Sequence, residues 1–311
     1  MPLPVLLPVI TPPHLAVGDL VALVAPARKI SAAEVAPAVA LLESWGLRVH
    51  LGATIGAEDH QFAGPDALRR ADLQRALDDP AIRAVLCARG GYGTARLLDG
   101  VDLTGFQKHP KWVAGFSDPT ALLAHLWCHA RTLTLHATMP VLMSSPGHAA
   151  ADESLRQLLF GERLSYHAPA HPLNRAGQAQ GRLLGGNLTV LHTLFGTQAD
   201  ADWTGAILFL EDLDEYLYHI DRMLGHLARA GRLAGLAGLV VGHFSLMRDN
   251  TVPFGHSAYA IIAAYAAAYN FPVAFGFPAG HEPLNTAFVH GAEVELVVDA
   301  TAGLTLTYSG V

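Results

Sequence analysis

Ser117, Glu211 and His281 lie far apart in the chain but share one local setting. Each stands just beyond a short apolar run, beside a turn that contains Gly or Pro. Around Ser117, the run Trp112 to Phe116 reads as a buried strand, and Ala121 to Trp127 as a helix with Asp118 as N-cap and Pro119 as its first residue. A hydroxyl at such a strand-to-helix turn is held away from the chain, at an open helix N-terminus. Gly115 allows the backbone to turn sharply. The setting is that of a nucleophile elbow, except that Pro119 stands where G-x-S-x-G ends in glycine. Taken alone, the stretch reads first as an ordinary capped helix after a strand. Glu211 and Asp212, at the end of GAILFL, read alone as a cap and a surface charge. His281, after Phe277-Pro278-Ala279-Gly280, is one of 17 histidines.

Together the residues point to acyl transfer. A serine becomes a nucleophile beside a base, which is most often histidine. The histidine in turn needs a carboxylate to fix its tautomer and stabilise its charge. The developing oxyanion needs backbone N–H donors. Gly91, in the turn Arg89-Gly90-Gly91-Tyr92-Gly93, and Asp118, the residue after Ser117, are placed to supply them. Those glycines suit close approach to an anion, and a tight structural turn fits them equally. No Lys-Ser or Lys-Thr follows, so the turn is not a P-loop, and its spacing is not G-x-G-x-x-G. His281-Glu282-Pro283-Leu284-Asn285 is not H-E-x-x-H, and no cysteine pair has ligand spacing, so no metal is expected.

The elements that must position these residues alternate. Strands are expected at Asp19–Ala25, Leu47–Leu51, Ala84–Ala88, Trp112–Phe116 and Thr132–His136. Between them run a helix from the capping box Ser31/Glu34 to about Ser44, one from Pro65 with Leu68, Leu73, Ala76 and Leu77 on one face, and a short one at Thr94–Leu98. This is the pattern of an α/β fold, a parallel sheet with helices on both faces. Its crossovers put the loops after the strands on one edge, where ligands bind. Gly161–Gln180 lacks apolar periodicity, so the chain divides into an N-terminal α/β domain (1–165), a connection (166–180) and a C-terminal domain (181–311). There a helix follows Asn187 to about Phe195. Further helices are expected at Asp214–Arg229 and Ser257–Tyr269, strands at Gly205–Leu210, Gly238–Val241 and Pro272–Phe275, and a closing hairpin at Glu293–Val298 and Leu304–Tyr308.

The 311 residues are 51% hydrophobic and 15% charged, enough for sizeable cores and not a disordered chain. A net charge of -7 argues against nucleic-acid binding. Cys87 and Cys128 read as buried thiols, consistent with a reducing compartment. Met1–Ile10 carries prolines and no Lys or Arg, unlike a signal peptide, and no apolar run is long enough for a membrane span. The expected location is the cytoplasm.

Five segments resemble the LD-carboxypeptidases, the serine peptidases that include murein tetrapeptide carboxypeptidases and microcin C immunity peptidases. They are Cys87–Gly93, Gly115–Asp118, Gly185–Leu188, Leu210–Leu224 and Phe277–His281, in the family's order and spanning nearly the whole chain. The resemblance implies a Ser117 nucleophile, a His281 general base oriented by Glu211, an oxyanion hole at Gly91 and Asp118, and no metal or organic cofactor. It further implies a smaller, mainly β C-terminal domain and a homodimer. The implied substrate is a murein tetrapeptide, cut between the L-centre of a diamino acid and terminal D-Ala, with Arg89 as a candidate for the carboxylate. Where the family has His-Gly-Pro-Met, this chain has His136-Ala137-Thr138-Met139-Pro140. The alternatives are a peptidase acting on a peptidyl- or aminoacyl-nucleotide and a non-catalytic murein-peptide binder.

Overall fold

Alternate residues of the N-terminal strands belong to two different cores. Val21, Leu23, Ala84, Leu86, Trp112 and Ala114 face one, while Ala22, Val24, Val85, Cys87 and Val113 face the other. Side chains on a strand alternate sides, so this sheet is covered on both faces. In the computed structural model, which describes residues 8–309, it is built from β1 (Leu20–Val24), β2 (Arg48–Leu51), β3 (Ile82–Cys87), β4 (Trp112–Gly115) and β5 (Thr134–His136). These five are mutually parallel, and β11 (Phe288–His290) adds antiparallel to β5, giving the order β11-β5-β4-β3-β1-β2.

Helices α1 (Ala32–Ser44) and α5 (Ala149–Leu159) pack into the first core, α2 (Asp66–Asp78), α3 (Thr104–Lys108) and α4 (Thr120–Ala130) into the second. The capping box of α1 forms as expected: Glu34 N donates to Ser31 Oγ, and Ser31 N to Glu34 Oε2 at 2.8 Å. On α2, Leu73, Ala76 and Leu77 are buried. The short helix is a 3-10 turn, Thr94–Gly100.

The second sheet has seven strands in the order β10-β9-β8-β7-β12-β13-β6. Here β7 (Gly177–Asn187), β8 (Ile207–Leu213), β9 (Gly238–Ser245) and β10 (Val273–Phe275) run parallel. The hairpin β12 (Glu293–Asp299) and β13 (Gly303–Tyr308), with β6 (Ser165–Ala168), completes it antiparallel. The C-terminal half is thus β-rich, with α6 (Leu188–Leu194), α7 (Leu217–Arg229) and α8 (Ala258–Ala266) on one face of its sheet. On α7, the helix expected at Asp214–Arg229, Ile220, Met223, Leu224 and Leu227 are buried.

Two expectations change. The segment 166–180, read as a connection, supplies most of β6 and the start of β7, so it belongs to the second sheet. Conversely, β11 comes from the C-terminal half and closes the first sheet, covering an edge of β5 that would otherwise be open. The reading of Met1–Ile10 falls mostly outside the described residues. Among the described residues no helix is long and apolar enough to cross a membrane.

Candidate active site

Ser117 adopts φ 65°, one of six described non-glycine residues with positive φ. A left-handed serine costs roughly 1–2 kcal/mol, and such strain collects at functional turns. It is the backbone form of a nucleophile elbow. Gly115 is needed for a reason other than the expected turn. A Cβ there would come 2.8 Å from Pro119 Cβ and 3.1 Å from Cys87 Cβ, so the glycine permits close packing of the turn on β3. Among the described residues the Ser117 hydroxyl has no hydrogen-bond partner. Its side chain faces a cavity of about 520 Å³.

Asp118 does not cap α4, which starts at Thr120 without a side-chain cap. Its carboxylate instead accepts from Gly93 N (3.1 Å) and Thr94 N (3.0 Å), at the head of the 3-10 turn. Asp118 therefore ties the Gly90–Gly93 loop to the serine turn. Burial pushes its carboxyl up, against the pull of those bonds and of Arg69. Gly91, at φ 106°, occupies backbone space that favours glycine. The N–H groups of Gly91 and Asp118 donate to nothing among the described residues, and both residues line the cavity.

Glu211 is fully buried, not a surface charge. It pairs with Asn187 of β7, beside a register shift between β8 and β9 at Leu210/Asp212. Irregularities of this kind re-aim side chains near active sites. Its Oε2 accepts from His281 Nδ1 at 2.7 Å. That bond leaves Nε2 as the free, basic nitrogen of the neutral ring. Burial opposes a charge on the His281 imidazole. Glu211, through charge and hydrogen bond, outweighs it with help from Asp212 and Glu282, so the ring titrates above the usual histidine value. The Phe116 ring packs on the His281 ring at 4.8 Å, and Gly280 N donates to Asn285 Oδ1 at 2.9 Å, fixing the turn that carries the histidine.

The cavity is lined by Arg28, Gly90, Gly91, Ser117, Asp118 and Met139 from the first sheet's loops, and by Asn187, Thr189, Asp212, Glu215 and His281 from the second's. The carboxyl ends of the parallel strands of both sheets thus meet there, which brings Ser117 and His281 to one cavity. No hydrogen bond joins those two side chains; the His281 ring bonds to Glu211. Arg89 also lines the cavity, with Nη1 engaged by Glu34 Oε1 at 3.1 Å.

Sequence reasoning missed three contributors. Asp212 accepts from Asn187 Nδ2 (2.9 Å), Thr189 N (2.9 Å) and Thr189 Oγ1 (2.8 Å), bracing the start of α6, and its carboxyl is pushed up to about 6 by burial and then Glu211. The second is the contact of Asn187 N with Thr120 Oγ1, at 3.2 Å, which joins the two halves beside the nucleophile. Arg28 is the third. Its signal was its position in the loop after the first strand, at the edge already marked by Arg89 and Ser117. Cys87 is no rival nucleophile, since burial, then Asp118, pushes its thiol up to about 12.

Residues 21–137 match the LD-carboxypeptidase N-terminal domain, and residues 180–296 the LD-carboxypeptidase C-terminal domain. A probable murein peptide carboxypeptidase of Bacillus subtilis is 35% identical over 289 residues, covering 90% of this chain and 89% of the relative. The crystal structure of muramoyltetrapeptide carboxypeptidase from Oxalobacter formigenes is similar at a TM-score of 0.82 and 28% identity, over 93% of this chain and 99% of that one. The microcin C7 self-immunity protein MccF, in complex with glutamyl sulfamoyl guanosine, is similar at a TM-score of 0.86 and 19% identity, over 97% and 99%, a likeness of fold. The chain belongs to the LD-carboxypeptidase family, and it is an enzyme of that class.

Proposed function

We propose that the enzyme releases terminal D-Ala from murein tetrapeptides, cutting the bond between the L-centre of the diamino acid and D-Ala, through a Ser117–His281–Glu211 triad. The observation that carries this reading is the meeting at one cavity of a left-handed serine and a histidine held by a buried glutamate at 2.7 Å. His281 Nε2 takes the Ser117 proton as Oγ attacks the carbonyl carbon. The Gly91 and Asp118 N–H groups stabilise the oxyanion. His281 then gives the proton to the leaving D-Ala nitrogen, the C–N bond breaks, and an acyl-serine remains. Water, deprotonated by the same ring, attacks the ester and frees Ser117 and the tripeptide. Every step uses protein groups and water, so activity should survive chelation by EDTA.

The murein substrate is preferred over an aminoacyl-nucleotide because the relative at 35% identity is a murein peptide carboxypeptidase by name, whereas the likeness to MccF concerns the fold. On this reading the enzyme works in the cytoplasm as a homodimer. The test is mass spectrometry of tetrapeptide, and separately of an aminoacyl-adenylate analogue, incubated with wild type and Ser117→Ala. Tripeptide plus D-Ala from the wild type alone is expected. Tripeptide from Ser117→Ala at a rate within about tenfold of wild type would remove the serine mechanism. A fluorophosphonate that fails to label Ser117 would favour a murein-peptide binder.

A further inference from the structure

We infer that Arg28 holds the C-terminal carboxylate of the substrate and so confines cleavage to chain ends. The inference deepens the acyl-transfer reading above, on which it rests. Almost every charged side chain on the cavity wall already has a partner. Arg89 pairs with Glu34, Asp214 with Arg248 at 2.5 Å, Glu215 with His219 at 2.6 Å and His281 with Glu211. Asp118 and Asp212 are taken up by backbone and side-chain donors. Arg28 is exposed, lines the same cavity, and its guanidinium has no hydrogen bond or ion pair among the described residues. A free planar fork in a cavity whose other charges are satisfied suits a ligand carboxylate.

Its position fits that role. Arg28 follows β1, and its backbone N donates to Gly90 O at 3.4 Å, which anchors it on the glycine loop. Arg28 Cβ and Cδ lie 3.0 and 3.3 Å from where a Gly91 Cβ would stand. Its stem therefore runs along the residue whose N–H would face the oxyanion. In a peptide, the carboxylate of the leaving residue lies one residue beyond the scissile carbonyl, about 4 Å along the chain. A guanidinium reaching past Gly91 is within range of that carboxylate, and an internal peptide bond would offer it no charge. Arg89, the cation first suggested by the sequence, is instead neutralised by Glu34.

The test measures binding, so it does not depend on turnover. A tetrapeptide ending in D-Ala and its C-terminal amide are titrated calorimetrically into Ser117→Ala, alone and combined with Arg28→Ala, Arg28→Lys or Arg89→Ala. Arg28→Ala should weaken the free acid by roughly tenfold to a hundredfold and leave the amide unchanged. Arg28→Lys should recover part of the loss, because a point charge replaces the fork. Equal weakening of acid and amide by Arg28→Ala, or loss of the acid preference in Arg89→Ala alone, would overturn the inference. Fluorophosphonate labelling of Ser117 in Arg28→Ala at the wild-type rate would show the serine site intact. Unimpaired turnover by Ser117→Ala would instead defeat the acyl-transfer reading, while a collapsed acid preference in Arg28→Ala would still uphold the carboxylate contact.

Discussion

Glu211 Oε2 accepts from His281 Nδ1 at 2.7 Å, with the acid fully buried and the ring open to the cavity on its other side. The acid sets both the tautomer and the charge of the ring, so its effect is readable in pH. On the proposed reading His281 acts as a base in its neutral form, and its ring titrates above 6.5. The acid limb of kcat/KM should therefore have its midpoint above pH 6.5. Glu211→Gln removes the largest attraction and leaves only Asp212 and Glu282 opposing burial, so the midpoint should move down while kcat falls by roughly three to four orders of magnitude. An unmoved midpoint in the pH–rate profile would detach the two residues. The same raised value means that the pair contributes its full stability below pH 6.5 and loses it as pH rises through the folded value.

Strain at Ser117 gives a prediction in the opposite sense to activity. At φ 65° glycine is at ease and serine is not. Ser117→Gly should be inactive yet more stable to urea than Ser117→Ala, by about 1 kcal/mol. Equal midpoints for the two variants would show that the turn stores no strain.

The pair of hydrogen bonds that Asp118 accepts from Gly93 N and Thr94 N predicts a coupled loss. Asp118→Ala leaves two buried donors without an acceptor, which should cost about 1–3 kcal/mol. It should also lower kcat, because Gly91 sits in the loop those bonds hold. Asp118→Asn, whose amide oxygen still accepts, should fall between. Full activity in Asp118→Ala, measured on folded protein, would show that the loop positions itself.

Burial holds His136 down to about 4 and His290 down to about 3. An unfolded chain takes up protons on these rings below pH 6.5 that the native state refuses, so stability should fall as pH drops from 6.5 toward 4. Among the described residues His136 has no hydrogen-bond partner on either nitrogen, and it stacks on Phe288 at 4.7 Å. His136→Phe, an apolar replacement of similar shape, should be tolerated at pH 7.5 and should gain on wild type by on the order of 2 kcal/mol at pH 5. Urea midpoints of the two proteins that decline in parallel with acid would refute this.

Local chemistry made much of the fold legible. The Ser31/Glu34 box, the apolar runs of β1, β3 and β4 and the hairpin β12–β13 each carry their own signal within a few residues. The candidate site was legible because Ser117, Glu211 and His281 each follow an apolar run. What stayed hidden depends on partners distant in the chain. The three residues of β11 have no period to detect, and their role comes from the open side of β5. Asp118 sits where a cap belongs, but its acceptor function is spent on residues 24 and 25 positions earlier. Glu211 looks like a strand-end charge because β8 runs on to Leu213, which only pairing with β7 and β9 decides.

Strand β11 lies beyond His281 in the chain, yet it pairs with β5 in the first sheet. A ribosome that has released only the amino-terminal half has made the serine turn but not the strand that seals its sheet, nor the imidazole. Catalytic competence must then arrive late in synthesis, once residue 290 is free to dock. Two halves expressed from separate genes would have to find each other before β5 gained its partner.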